Sequence, residues 1–291
     1  MLTISRCPVC DGQSFPPFLT CKDFTVSEES FPIVSCSDCG FLFTNPIPDL
    51  DVLGNYYKAE SYVSHTSSSK GLINFLYQRV RKITLKRKLR LIQRIAKGNR
   101  ILDFGCGTGH FLARLQAAKF DVTGVEPDAD ARAVAEKLNG IRPLQRHELS
   151  SLCSSDLVIT LWHVLEHLPD LNKDISELIA LLAPGGTLLV AVPNPTSGDA
   201  ELYKEYWAGY DVPRHLYHFS PTVIKRLFEK HGMECSACLP MPFDAYYVSM
   251  LSEKHKGGGM LRGFFNGWKS NRRARKGGDK WSSQIYLFQK K

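Results

Sequence analysis

The chain has 291 residues, enough for one large domain and a small appendage. Its hydrophobic content of 43% suits a globular protein, and no apolar run approaches the roughly 18 residues that a membrane-spanning helix needs. The net charge of +8 is blocky: residues 61–102 carry 11 Lys/Arg and no Asp/Glu, and residues 254–291 carry 11 Lys/Arg against Asp279 alone. Blocks of this kind attract phosphorylated small molecules, acidic membrane surfaces or nucleic acid; the plainer reading is a pair of solvated helix faces. The first residues, MLTISRCPVC, have neither the basic start nor the apolar core of a secretory signal. Nine cysteines, an odd number, fit a reducing compartment, and a cytoplasmic protein is expected.

Residues 1–45 read as loop-rich and contain two C-x2-C pairs, Cys7/Cys10 and Cys36/Cys39. Each pair supplies two thiolates to one side of a tetrahedral ion, so together they predict a closed, structural four-cysteine zinc module of zinc-ribbon type. Cys21 is expected simply to pack. Residues 46–99 pass through a polar SHTSSSK stretch into a basic amphipathic helix. Leu72, Phe75, Leu76, Val80, Ile83, Leu85, Leu89, Ile92 and Ile95 recur at helical spacing there, and Gly98 closes the run.

From Arg100 onward strand and helix signals alternate. ILDF, DVTGVE, DLVITL and TLLVAV read as strands, the last apolar on both faces as in a parallel sheet. Ser220-Pro221 starts a helix that Gly232 ends, and MECSACL and SQIYLF read as late strands. The pattern predicts a doubly wound α/β sheet over residues 100–291. A third C-x2-C, Cys235/Cys238, falls within a strand. Its odd spacing predicts side chains on opposite faces and therefore no metal site.

The most informative segment is ILDFGCGTGHF, with Gly105, Gly107 and Gly109 between a strand and a helix. Such glycines permit a tight turn and close approach of a ligand to the backbone. The G-x-G-x-G spacing departs from the dinucleotide pattern, which lowers a dehydrogenase reading. Glu126, followed by Pro127, ends the next strand, where a carboxylate can accept both hydroxyls of a ribose.

DFGCGTG, GVEPD, DLVITLWHVLEHL and LLAPGGTLLVAVPN, in that order and spacing, resemble the successive motifs of class I S-adenosylmethionine (SAM)-dependent methyltransferases. The resemblance implies a Rossmann-like sheet of seven strands, the last antiparallel and formed by SSQIYLFQKK. It implies that Gly105, Cys106 and Gly107 hold the methionine part of SAM and that Glu126 holds the ribose. Glu148 and Leu149 would flank the adenine, Trp162 would lie by the methionine chain, and Asp103 would orient the loop or the amino group. The paired cysteines ahead of this domain look like the sugar C-methyltransferase type. WAGYDVPRHLYHFSP and PFDAYYVSMLSEKHK look like stretches of bacterial methyltransferases of unassigned substrate.

His163, past the fourth strand of this domain, and Arg214 and His215, past the fifth, are the expected catalytic residues, because ligands sit outside the carboxyl ends of strands. Arg214 would grip an anionic group, and His163 or His215 would take a proton. Residues 240–283 would roof the site as a lid or rest on an anionic membrane. The expected function is methylation of a small-molecule acceptor, anionic in one version: a sugar, sugar nucleotide or lipid-linked intermediate, on oxygen or carbon. An RNA-directed enzyme is the alternative, weakened because WHVLEH stands where a base-methylation motif would be.

Overall fold

The computed structural model describes residues 1–57, 72–152 and 156–290. Three short strands come first, β1 (Pro17–Lys22), β2 (Ser30–Ser35) and β3 (Leu42–Thr44), then helices α1 (Leu50–Leu53) and α2 (Leu72–Ile95). Strands and helices then alternate through β4 (Arg100–Phe104), α3 (His110–Ala117), β5 (Asp121–Val125), α4 (Ala129–Asn139), β6 (Asp156–Trp162), α5 (Leu171–Leu181) and β7 (Leu182–Pro193). The last third holds α6 (Gly198–Tyr203), β8 (Tyr217–His218), α7 (Pro221–Lys230), β9 (Met233–Pro240), α8 (Asp244–His255), α9 (Met260–Gly277) and β10 (Ser283–Lys290). The SHTSSSK stretch and the side chains of Leu72, Phe75 and Leu76 lie outside the described residues.

The main sheet has the order β5-β4-β6-β7-β10-β9. Strands β5, β4, β6 and β7 are parallel, and β10 runs antiparallel between β7 and β9. Among the described residues, six strands stand where seven are expected. The missing one is reduced to a single parallel bridge between Val125 and Leu144. Pro143 removes an amide donor just before it, and the 3-10 turn Arg146–Ser151 follows almost at once, so the segment cannot extend as a ladder.

Alternation along the strands divides the core. Ile101, Val158, Leu189 and Ala191 pack under α2, α3 and α4. Leu102, Ile159, Leu188, Val190 and Val192 face the other way, toward α5, α7 and the first 50 residues. TLLVAV is therefore buried on both faces, as its composition predicts. Helix α7 begins as expected, with the Ser220 side chain accepting from Val223 N–H and Pro221 in the first turn.

Two local readings change. The β9–β10 register shifts opposite Leu287 and Phe288, leaving Ser236 as an extra residue. This bulge turns Cys235 and Cys238 to the same face, against the same core, because one inserted residue reverses the alternation. The N-terminal region is also less loop-like than its composition suggests. Strands β1, β2 and β3 form an antiparallel sheet that β8 completes, Leu42 pairing with His218 and Phe43 with Tyr217. Among the described residues, no helix is long and apolar enough to cross a membrane.

Candidate active site at the carboxyl edge of the sheet

The loop after β4 turns through three glycines of positive φ, Gly105, Gly107 and Gly109. The amides of Gly105 and Cys106 donate to Val125 O at 2.8 and 3.1 Å, which pins the loop to the end of β5. Gly107 N–H donates to Glu126 Oε2 at 2.8 Å, and Asp128 N–H donates to Oε1 at 3.0 Å. Each carboxylate oxygen keeps a lone pair. Burial raises the pKa of Glu126 against these two amide bonds. A Cβ built on Gly107 meets nothing within 4 Å, whereas one on Gly105 would strike the Val164 side chain. Gly105 thus serves the contact between two loops of the protein, and Gly107 borders open space. The indole N–H of Trp162 is buried and donates to no group of the protein. Open space at Gly107, acceptor capacity on Glu126 and the unpaired Trp162 donor fit an adenosyl ligand with polar ends.

The remaining expected cofactor residues line the same edge. Pro127 is exposed beside Glu126. Leu149 is buried, and Glu148 is tied into its turn by accepting from Gln145 N–H at 2.7 Å. Asp103 is buried at the end of β4 and accepts from the Thr160 hydroxyl at 2.5 Å. Burial raises its pKa to about 6, against the Thr160 bond and nearby Lys88. Lys88 is a residue the sequence reading did not single out. Its ammonium stands 4.0 Å from the Trp162 ring centroid, and burial lowers its pKa to about 8 despite Asp103 and Asp244.

The three expected catalytic residues fare differently. His163 has a positive φ of 57°, uncommon for a non-glycine residue, and projects from the end of β6. Its Nδ1 lies 3.4 Å from Glu166 Oε1, and its Nε2 lies 3.2 Å from Asp244 Oδ2. Burial opposes charge on the ring, but these two carboxylates outweigh it and raise the pKa to about 9. About a third of the side chain is exposed. His215 is nearly buried; its Nδ1 lies 2.9 Å from Gly209 O, and its Nε2 lies 4.0 Å from Glu166 Oε1. Arg214 is 1% exposed and uses all three nitrogens: Nε and Nη2 donate to Asp211, Nη2 also to Asp23, and Nη1 to Tyr56 O. Its guanidinium therefore ties the N-terminal sheet to the loop before β8 and has no free donor edge for an acceptor anion.

Cationic side chains do border open space elsewhere. A cavity of about 290 Å³ lies between α2 and the β9–α8 connection, with Trp162 and Asp244 on its wall. Arg87, Lys88, Arg90 and Arg94, all from α2, line it.

The four paired cysteines converge where the N-terminal region meets α5 and α7, with Pro8 O accepting from Asn172 and Lys230. Cys7 Sγ lies 3.6 Å from Cys39 Sγ, Cys10 Sγ lies 3.5 Å from Cys36 Sγ, and all four sulfurs fall within 4.8 Å of one another. Four sulfurs about 2.3 Å from a tetrahedral ion stand about 3.8 Å apart, so the set fits zinc. A residue of positive φ, Asp11 or Gly40, follows each pair and reverses the chain.

The chain is 26% identical over 229 residues to a C-methyltransferase, NovU, of Streptomyces niveus, a match covering 73% of this chain and 49% of the relative. It is 29% identical over 119 residues to a ubiquinone biosynthesis O-methyltransferase of Bordetella avium, covering 37% and 49%. The chain thus spans about half the length of these curated relatives. Among solved structures, the magnesium protoporphyrin IX methyltransferase of Synechocystis with bound S-adenosylhomocysteine superposes with a TM-score of 0.54 at 14% identity, covering 84% of this chain and 100% of that one. A SAM-dependent methyltransferase of Thermotoga maritima gives 0.50 at 18% identity, covering 75% and 97%. Both show that the fold is the class I methyltransferase fold. A family model described as a methyltransferase domain matches residues 75–237, more than half of the chain, and the protein belongs to that family.

Proposed function

We propose that the protein is a SAM-dependent methyltransferase that acts on a small anionic acceptor, a sugar, sugar nucleotide or lipid-linked intermediate, at oxygen or carbon. The observation that carries this reading is the junction of two features at one sheet edge. The glycine loop and Glu126 lie there, and so does the α2 cavity with its four cations, which shares Trp162. The resemblance to a C-methyltransferase and to small-molecule O-methyltransferases supports the acceptor class, and nothing favours the RNA-directed alternative. SAM supplies an electrophilic methyl group on a sulfonium, and alignment is the largest contribution an enzyme makes to such a displacement. Gly105, Cys106, Gly107 and Glu126 hold the cofactor, with Asp103, Pro127, Glu148, Leu149 and Trp162 around it. Arg87, Lys88, Arg90 and Arg94 hold the acceptor anion. His163, in the neutral form that prevails above its raised pKa of about 9, takes the acceptor's proton on Nε2 beside Asp244 Oδ2, because it is the expected catalytic residue most open to the cleft. Arg214 is a positioning residue. Cys7, Cys10, Cys36 and Cys39 hold one structural zinc.

Calorimetry tests the cofactor half: Gly107→Val should abolish SAM binding by filling the open space, and unchanged affinity would refute the reading. On the acceptor half, His163→Ala should keep SAM affinity within a few-fold and lower turnover roughly 10²-fold or more. Full activity would move proton transfer elsewhere.

A second partner is supported by α9. Leu261, Phe264, Phe265 and Trp268 are exposed on a helix that also carries Arg262, Lys269, Arg272 and Arg273. Basic helices of this kind rest on anionic bilayers. The protein should co-sediment with phosphatidylserine vesicles and not with phosphatidylcholine vesicles. Phe265→Asp should abolish this, and equal binding to both vesicle types would exclude the contact.

A further inference from the structure

We propose that Glu166, His167 and His215 form a divalent transition-metal site, distinct from the four cysteines, that takes an ion such as Mn2+, Co2+ or Fe2+ on two imidazoles and one carboxylate. Glu166 and His167 lie on the 3-10 turn after β6, and His215 comes from the loop before β8. One donor atom of each lies within 4.8 Å of the others. Cis ligands of an ion bound at about 2.1 Å stand about 3 Å apart, so His215 and Glu166, 4.0 Å apart, need to close by about 1 Å and the set as a whole by up to about 2 Å.

The second observation is Glu166 itself. Its side chain is 1% exposed, and neither carboxylate oxygen accepts a hydrogen bond. Buried carboxylates are ordinarily hydrogen-bonded, paired or bound to a metal. Its nearest paired nitrogen, His163 Nδ1, is 3.4 Å away and touches one oxygen only. The ring orientations agree with a ligand role. His215 Nδ1 is 2.9 Å from Gly209 O, and His167 Nδ1 is 3.0 Å from Arg214 O. A carbonyl only accepts, so His215 Nδ1 carries the proton and its Nε2 keeps a lone pair; His167 Nδ1 faces both Arg214 O and the Tyr57 hydroxyl, each at 3.0 Å, and with its proton toward the carbonyl its Nε2 is free as well. Metal-bound histidines are held this way, through the far N–H to a backbone carbonyl. Asp211, the nearby carboxylate, is spent on Arg214 through both oxygens. Two imidazoles, one carboxylate and no thiolate select a borderline divalent ion and leave positions open. His163 borders the open side. There the ion would take an oxygen of the acceptor, the one part of the proposal that rests on the methyltransferase reading.

Mn2+ is the probe, because thiolates hold it poorly. The full-length protein, zinc-loaded, is titrated with Mn2+ and the free ion is followed by electron paramagnetic resonance. Wild type should bind one equivalent. Glu166→Gln and His215→Gln should each weaken binding roughly tenfold or more, with zinc content and SAM affinity unchanged. Absence of Mn2+ binding at millimolar concentration, or equal binding in both variants, overturns the proposal. Should a variant misfold, Co2+ added to zinc-loaded wild type decides. Weak visible bands without thiolate charge transfer place the ion on nitrogen and oxygen, and a thiolate band or no spectrum overturns the site. Both readouts need neither SAM nor acceptor, so loss of SAM binding alone would sink the enzymatic reading and leave this site standing.

Discussion

Lys88 and Asp103 are two charges on surfaces that the sequence pattern assigns to the core. Lys88 falls three residues after Leu85 and four before Ile92, on the apolar stripe of α2. Asp103 falls within ILDF, where its neighbours Leu102 and Phe104 are buried. A rise in the Asp103 pKa from 3.8 to about 6 amounts to about 3 kcal/mol of preference for the neutral acid. The folded state therefore binds a proton that the unfolded state releases between those values. Without ligand, stability from this group falls as pH climbs from about 4 to about 6 and stays lower above. Asp103→Asn should stabilise the ligand-free chain at neutral pH by on the order of 1–3 kcal/mol in chemical unfolding, keeping the Thr160 bond. A cationic ligand reverses the preference. SAM affinity in wild type should rise as pH passes about 6, and Asp103→Asn should flatten the curve. A flat wild-type profile would remove Asp103 from the cofactor site. The glycine loop and Glu126 were legible as a motif. Lys88 could have been found only as a charge on the wrong face of a helix. Asp244, an ordinary acid in a helix's first turn, carried no signal.

Between single residues and the whole chain, the α8–α9 hairpin decides how the cleft is roofed. The length and composition of residues 240–283 announce helices but not how two helices can sit so close. Gly263 and Gly267 answer that: a Cβ on either would come within 2.5 Å of the backbone of α8, at Met250 and Ala245. Ala245 and Ser249, small and buried, stand on the other helix where the glycines approach it. The crossing fixes Asp244 at the head of α8, where it meets His163. Gly267→Val should cost about 1–3 kcal/mol through overpacking, whereas Gly277→Ala, which meets only Lys280 at 3.9 Å, should be near neutral. Thermal unfolding of the two variants checks this, and equal melting temperatures would show that the hairpin is not held by the glycines. The same scale explains the Cys235/Cys238 reading. Alternation predicts strand faces correctly until a bulge intervenes, and nothing in MECSACLP marks Ser236 as the extra residue.

At the scale of the molecule, the first 45 residues read as a separate bead because cysteine spacing is local and strand pairing is not. β8 is only two residues long, and its partner β3 lies more than 170 residues earlier in the chain. The same join recurs in side chains. Thr44 donates to His215 O at 2.9 Å, and Asp23 and the Tyr56 carbonyl receive Arg214. A structural zinc contributes roughly 10–16 kcal/mol of apparent binding free energy in small domains, and here that energy would hold β1–β3 beneath the loop that carries His215. Among the described residues, the glycine loop and Glu126 bond to each other, to β5, α3 and α4 and to Leu144, all of them outside the N-terminal region. Damage to the zinc centre should therefore split the two halves of the site. Wild type should contain one zinc per four-cysteine set by elemental analysis, and Cys36→Ser should lose it and melt at a lower temperature. That variant should bind SAM within a few-fold of wild type yet turn over slowly, because the His215 loop loses its support. Cys36→Ser leaves Glu166, His167 and His215 chemically intact, so a turnover defect would report the mechanical link. Normal turnover in a zinc-free variant would show that the module is carried by the enzyme without supporting its acceptor side.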